Sequence, residues 1–132
     1  MQKGMVDLCI TGADRITKYG YVINKIGTYL KALAAKENNI PFYVAAPIST
    51  IDWCTNDFTK IKIENRDSKE LSSIEGIDNL GKKVTVNIYP EKSKSFNPAF
   101  DITPNYLIDN LITEKGIIIP TESEVIKLKW MK

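Results

Sequence analysis

The sequence predicts an α/β domain with a mainly parallel sheet, and three observations carry that prediction. Residues 5–10 form a mostly apolar run that alternates poorly, with Asp7 its exception, as a strand buried on both faces should. Residues 22–38 set Val22, Ile26, Tyr29, Leu30 and Leu33 at helical spacing, with Asn38-Asn39 ending the pattern. Pro41-Phe42-Tyr43-Val44-Ala45-Ala46-Pro47 is a second apolar run closed by proline. A strand, a helix and a second strand in succession make a βαβ unit, whose crossover should be right-handed.

The stretch from residue 6 to residue 30 carries the polar groups of interest. Its apolar run ends in Thr11-Gly12-Ala13, and Asp14 and Arg15 follow at once. A glycine-containing loop leads to Tyr21, and Asn24 and Lys25 are expected to open the helix. In an open parallel sheet, ligands sit where strands end and helices begin. Asp14, Asn24 and Lys25 are therefore predicted to face one crevice.

Composition excludes several function classes. The 132 residues suit a single domain, and 43% hydrophobic with 26% charged residues is an ordinary globular balance. A net charge of +2, with scattered basic residues and no aromatic-basic array, argues against nucleic acid as a partner. No apolar stretch approaches the ~18 residues that a membrane helix needs. Cys9 and Cys54 form no metal or redox motif, and no metal or cofactor is predicted. The start, Met-Gln-Lys-Gly-Met, lacks the apolar segment of a signal peptide, so a reducing, cytoplasmic setting is expected. The absence of histidine removes the commonest general base and leaves carboxylate, lysine and cysteine for any chemistry.

The remainder of the chain is less regular. Ser49-Thr50-Ile51-Asp52 reads as a short capped turn. Residues 61–64 and 84–88 alternate like exposed strands, and the polar stretches between and after them read as loops, with a mobile tip at residues 90–95. Thr103 before Pro104 has the form of a helix start, a hydroxyl at the N-cap and proline at the first helical position. Tyr106, Leu107, Leu111 and Ile112 would give that helix its apolar side, and Gly116 would stop it. Ile117-Ile118-Ile119 is a predicted third buried strand closed by Pro120, and residues 122–132 suit either a short helix or an edge strand.

Five motifs in order carry a resemblance. Gly12-Ala13-Asp14-Arg15-Ile16, Asn24-Lys25-Ile26-Gly27-Thr28, Pro41-Phe42-Tyr43-Val44-Ala45-Ala46-Pro47, Ser49-Thr50-Ile51-Asp52 and Phe96-Asn97-Pro98-Ala99-Phe100-Asp101-Ile102-Thr103-Pro104 resemble the C-terminal half of the methylthioribose-1-phosphate isomerase family. That family shares a superfamily with the translation initiation factor 2B regulatory subunits and ribose-1,5-bisphosphate isomerase. The fold implied is a Rossmann-like, three-layer α/β domain, the C-terminal half of a two-domain architecture. The reaction implied is conversion of 5-methylthioribose 1-phosphate to 5-methylthioribulose 1-phosphate in methionine salvage. Regulatory subunits tend to carry Glu where Asp14 stands and to lack the Arg. Ribose-bisphosphate isomerases usually lack Arg15-Ile16. Asp14-Arg15-Ile16 with Ser49-Thr50-Ile51-Asp52 is thus similar to the methylthioribose branch.

By the same resemblance Asp14 matches the catalytic acid, and Asn24 and Lys25 match the substrate-binding pair. The chemistry is consistent: a C1-phosphorylated aldose has no free aldehyde, so its ring oxygen must be protonated and its C2 proton removed. A carboxyl group in an apolar pocket has a raised pKa and can supply the acid, and Lys25 at a helix N-terminus can hold a phosphate. The family's catalytic cysteine lies upstream of these motifs, and neither Cys9 nor Cys54 matches it. The resemblance therefore implies half an enzyme, inactive alone, with a sugar phosphate as substrate. As partners it implies further copies of the chain, which would cover an unpaired first strand, or the missing N-terminal half. A non-catalytic regulatory subunit sensing sugar phosphates or nucleotides is the alternative, and an inactive fragment the third possibility.

Structural roles are also expected for several of these residues. Arg15 is predicted to pair with a carboxylate, and Asp101 to serve as an acceptor near the Thr103 helix start. Cys9 and Cys54 are expected to be small buried residues, and Trp53, Phe58 and Trp130 to be packing residues.

Overall fold

The computed structural model describes residues 1–90 and 92–131, and it divides into two compact units. The larger comprises Met1–Lys62 with Phe100–Lys132, and the smaller is Ile63–Ala99.

Two four-stranded sheets form the larger unit. In the first, β1 (Cys9–Thr11), β4 (Phe42–Ala45) and β9 (Asn110–Thr113) run parallel in that spatial order, and β10 (Gly116–Ile118) adds an antiparallel edge. In the second, the order is β5 (Ile51–Asp52), β2 (Arg15–Thr17), β3 (Val22–Lys25), β8 (Phe100–Thr103). Only β2 and β5 are parallel there. The α/β class and the parallel first sheet agree with the sequence; the second, mainly antiparallel sheet is an addition to it.

One apolar core serves both sheets. Ile16 and Val22 from the second sheet meet Phe42, Val44 and Leu111 from the first, with Ala32 and Ala35 of helix α1 (Thr28–Glu37) and Val125 and Leu128 of helix α3 (Glu122–Leu128). Phe42 and Leu111 are completely enclosed, and truncating either to Ala costs ~2–5 kcal/mol.

The helix expected over residues 22–38 begins only at Thr28. Val22 and Ile23 pair with both β2 and β8, and Asn24 and Lys25 pair with β8, which competes successfully with a helical start. The predicted stripe is also displaced. Ile26, Tyr29, Leu30 and Leu33 are exposed, and the small residues Thr28, Ala32 and Ala35 are the ones buried against the core.

The predicted helix after Thr103 is likewise a short 3-10 turn (Asn105–Leu107) followed by β9. Thr103 lies inside β8, and its buried hydroxyl has no hydrogen-bond partner among the described residues, so it caps nothing. Leu111 is wanted in the middle of the first sheet, between β4 and β10, and this tertiary demand overrides the local helix signal. Gly116 ends the segment as the first residue of β10, paired with Thr113 across a hairpin.

The buried strands expected at residues 5–10 and 117–119 are edge strands instead, and Ile10, Ile117 and Ile119 are more than half exposed. The tail resolves to α3, whose N-cap Thr121 accepts from the Glu124 N–H. Trp130 and Cys54 are exposed, contrary to expectation, whereas Trp53 packs against the core.

The smaller unit is a short helix, α2 (Lys69–Ser72), leading into an antiparallel hairpin of β6 (Ser73–Ile77) and β7 (Lys83–Asn87). The strand predicted over residues 84–88 is present within one residue. β6 arises where a loop is predicted, and residues 61–64 carry no strand. In the predicted tip at residues 90–95, Glu91 lies outside the described residues.

Candidate functional site

The carboxyl ends of β1 and β4 lie side by side because the strands are parallel neighbours. The chain leaving β1 reaches Asp14 three residues later, and the chain leaving β4 turns through Ile48–Thr50 into β5. β5 then pairs in parallel with β2, Ile16 opposite Ile51. Two motifs separated by more than thirty residues of chain are thereby joined. Asp14, Arg15, Ser49, Thr50, Ile51 and Asp52 line one cleft of about 290 Å³. Its position beyond the carboxyl ends of parallel strands is the place where such sheets bind ligands.

Inside the cleft the two carboxylates differ. Asp52 is committed: its Oδ1 accepts from the Cys54 N–H (2.9 Å) and the Thr55 N–H (3.1 Å), and its Oδ2 from the Thr55 hydroxyl (2.7 Å). Arg15 adds an ion pair at 3.4 Å, the carboxylate partner expected for it. The Thr55 hydroxyl above all, then the Cys54 N–H, hold Asp52 below the ordinary carboxylate range near 3.8, against a smaller opposing effect of burial. Asp14 is anchored only through its backbone, its N–H donating to the Ile23 carbonyl at 3.0 Å. Its side chain is exposed and makes no hydrogen bond among the described residues. The apolar enclosure expected around this acid is not supplied by the described residues.

Asn24 and Lys25 end β3, at the same end of the β2–β3 hairpin as Asp14, but they do not line the cleft. The Asn24 amide donates to the Thr28 hydroxyl at 3.0 Å, which in turn donates to the Lys25 carbonyl at 2.7 Å. Lys25 is exposed and makes no ion pair among the described residues.

Asp101 is the residue whose role the sequence placed wrongly. Across from Asn24 on β8, it caps α1 and not a helix after Thr103. Its carboxylate accepts from the Gly27 N–H (2.6 Å) and the Tyr29 N–H (3.1 Å). Gly27 carries φ +99, a left-handed conformation that turns its N–H toward this acceptor and that side chains disfavour. The positive end of α1, expected to receive a phosphate, is therefore already occupied by a carboxylate. An acceptor more than seventy residues away along the chain gives no local sequence signal.

Among the described residues, no cluster of three or more Cys, Asp or Glu that could hold a metal occurs, and no helix is long and apolar enough to cross a membrane.

Residues 1–120 match the Initiation factor 2 subunit family. The methylthioribose-1-phosphate isomerase of Rhizobium meliloti is 55% identical over 122 residues, which cover 92% of this chain and 34% of that protein. The Escherichia coli protein of the same name is 53% identical, over 93% of this chain and 33% of its own length. Among solved structures, 5-methylthioribose 1-phosphate isomerase from Pyrococcus horikoshii superposes with a TM-score of 0.85 at 37% identity, covering 99% of this chain and 34% of that one. The A. fulgidus protein described as translation initiation factor eIF-2B, subunit delta, gives 0.80 at 45% identity, covering 96% and 34%. The chain spans about a third of the length of the relatives it matches. It belongs to the Initiation factor 2 subunit family.

Proposed function

We propose that this chain is the Rossmann-like C-terminal domain of a cytoplasmic aldose–ketose isomerase that converts 5-methylthioribose 1-phosphate to 5-methylthioribulose 1-phosphate. The observation that carries this reading is the union of Asp14-Arg15 and Ser49-Thr50-Ile51-Asp52 in one cleft. Those two motifs are the ones in which the chain resembles the isomerase branch of its family. The names of relatives at 50–55% identity support it.

In this reading Asp14 is the acid. Its free carboxyl group donates a proton to the ring oxygen as the C1–O bond opens, and a base supplied from elsewhere removes the C2 proton. Asp52 is already held by three donors and an arginine, so it is left to fix the cleft wall. Lys25 and Asn24 contact the substrate from the neighbouring strand end. With Asp101 on the helix terminus, the phosphate is held by the Lys25 ammonium and not by α1. Enclosure of Asp14 then comes from the N-terminal part that the longer relatives possess.

The same part, or a second copy of the chain, covers β1. Met5, Leu8 and Ile10 are 80%, 50% and 55% exposed beside an unpaired strand edge, the kind of surface that associates. The regulatory-subunit reading keeps one observation in its favour, the 45% identity to the A. fulgidus factor.

One experiment tests the proposal. The purified chain is assayed with 5-methylthioribose 1-phosphate alone and mixed with the N-terminal two-thirds of the R. meliloti relative, while light scattering follows association. No turnover is expected from the chain alone, which is expected to self-associate, and turnover is expected from the mixed complex. A complex that forms without turnover overturns the catalytic reading in favour of the regulatory one. Turnover by the chain alone overturns the half-site argument.

A further inference from the structure

At the far end of the β2–β3 hairpin from Asp14 lies a second cleft, of about 420 Å³. The hairpin turns through residues 18–20, where the Thr17 and Gly20 backbones bond at 2.9 Å. Gly20 has φ +81, and a Cβ there would stand 2.0 Å from the Pro120 carbonyl oxygen. Only glycine lets the turn pack this closely on the segment that opens α3, and that packing closes one side of the cleft.

Three aromatic rings, Tyr19, Tyr21 and Phe58, contribute to the lining. Tyr21 and Phe58 are stacked, centroids 4.2 Å apart and planes 13° from parallel. Two asparagines on the lining are each half used. Asn56 accepts from the Lys18 ammonium through Oδ1, which leaves its Nδ2 donor unspent among the described residues. Asn105 donates through Nδ2 to the Tyr19 carbonyl at 2.9 Å, which leaves its Oδ1 acceptor unspent. These partners fix which end of each amide is which, since an ammonium can only donate and a carbonyl only accept. Glu122 adds a carboxylate without a hydrogen bond among the described residues, whereas Asp57 is spent on the Thr59 N–H and hydroxyl.

The cleft thus offers an aromatic wall, one amide donor and two acceptors. We propose that it binds a flat heteroaromatic ring carrying both hydrogen-bond donors and acceptors, stacked against the Tyr21–Phe58 pair and bonded to Asn56, Asn105 and Glu122. Aromatic walls favour flat π-systems over saturated rings of the same size, and the unspent halves of the two amides select a ring with mixed polarity. The site is separate from the Asp14 cleft and does not depend on the isomerase reading.

The test is an NMR titration of the full chain with nicotinamide and with cytosine, and with cyclohexanecarboxamide as the saturated control. Nicotinamide or cytosine is expected to shift Tyr21, Phe58 and the side-chain amides of Asn56 and Asn105, and to bind about tenfold more tightly than the control. Phe58→Leu keeps an apolar side chain and removes the ring, and it should weaken binding by about three- to tenfold. Asn56→Ala should weaken it to a similar degree, and Asp14→Asn should leave it unchanged. The amide spectrum of each variant reports whether the turn has kept its fold. Equal affinity for the saturated control, no shift from either ring at these residues, or full retention of binding in both Phe58→Leu and Asn56→Ala overturns the proposal.

Discussion

Asp14 and Asp101 stand at the same end of one sheet, on either side of β3, and are used in opposite ways. Asp101 lies where a helix begins, and both of its oxygens are drawn onto the Gly27 and Tyr29 N–H groups. Asp14 lies where the chain leaves β1 for β2, and among the described residues only its backbone is bonded. A carboxylate that meets free backbone donors becomes part of the frame. One that meets none stays open to a ligand. Residue type does not separate the two; the local supply of N–H groups does.

The largest expected effect comes from exchanging each carboxylate for an amide in the reconstituted complex. Asp14→Asn should lower turnover by ~100-fold or more, the usual contribution of a general acid. It should leave the urea midpoint of the chain unchanged, because no hydrogen bond of the side chain is lost. Near-normal turnover would remove Asp14 from the mechanism, and a marked fall in stability would place it in the frame beside Asp101.

Asp101→Asn should show the reverse. The amide retains one acceptor oxygen but loses the charge that faces the α1 terminus, and ~1–2 kcal/mol of stability should go with it. Asp101→Ala, which leaves two N–H groups unpartnered, should cost ~1–3 kcal/mol. Urea unfolding measures both. If neither changes the midpoint, the helix cap is incidental and the contrast fails.

The same contrast explains what could be read from the chain and what could not. The strand at Phe42–Ala45 and the motifs at residues 12–16 and 49–52 were legible because each is short, local and chemically distinctive. Residues 22–25 were not. Val22-Ile23-Asn24-Lys25 suits a helix start as well as a strand, and only pairing with β8, some eighty residues later, decides it. Residues 104–116 failed for the same reason: Thr103-Pro104 is a sound local helix signal, and Leu111 is claimed by a non-local sheet. The α1 stripe failed in a different way, since Ile26, Leu30 and Leu33 are apolar yet exposed, and the core face is made of alanines. The membership of Asp14 and Asp52 in one cleft was implied by neither spacing nor composition; it follows from the parallel pairing of β2 with β5.

Asp52 lines the cleft as Asp14 does but is bonded as Asp101 is, and it gives a smaller, pH-dependent effect. Its folded-state pKa lies below the ordinary value near 3.8, owing first to the Thr55 hydroxyl. In the window between the two values the unfolded chain binds the proton more readily than the folded one. The stabilisation is therefore fully present above the ordinary value and is lost as pH falls through the lower, folded one. Thr55→Val removes the hydroxyl and should flatten the acid limb of the stability profile, with a loss of ~0.5–1.5 kcal/mol near neutral pH. Thermal unfolding across the acid range measures it. A limb of unchanged steepness would mean that the N–H groups alone hold Asp52.

The smallest expected effect belongs to Arg15, and it tests whether the ion pair of the cleft is frame or function. The Arg15–Asp52 contact is a single one at 3.4 Å, and the arginine side chain is 49% exposed. Exposed pairs of this kind contribute ~0.2–1 kcal/mol and weaken with salt. Asp52 also keeps its three other donors when Arg15 is removed. Arg15→Ala should therefore shift the urea midpoint by no more than ~0.5 kcal/mol, and raising the salt concentration should erase most of that difference. A double-mutant cycle with Asp52→Asn isolates the pair from the loss of packing along the arginine stem. A coupling above ~1.5 kcal/mol would put Arg15 in the frame with Asp101. A coupling near zero, together with weakened substrate binding in the reconstituted complex, would leave the guanidinium as a cationic wall of the cleft beside the free carboxylate of Asp14.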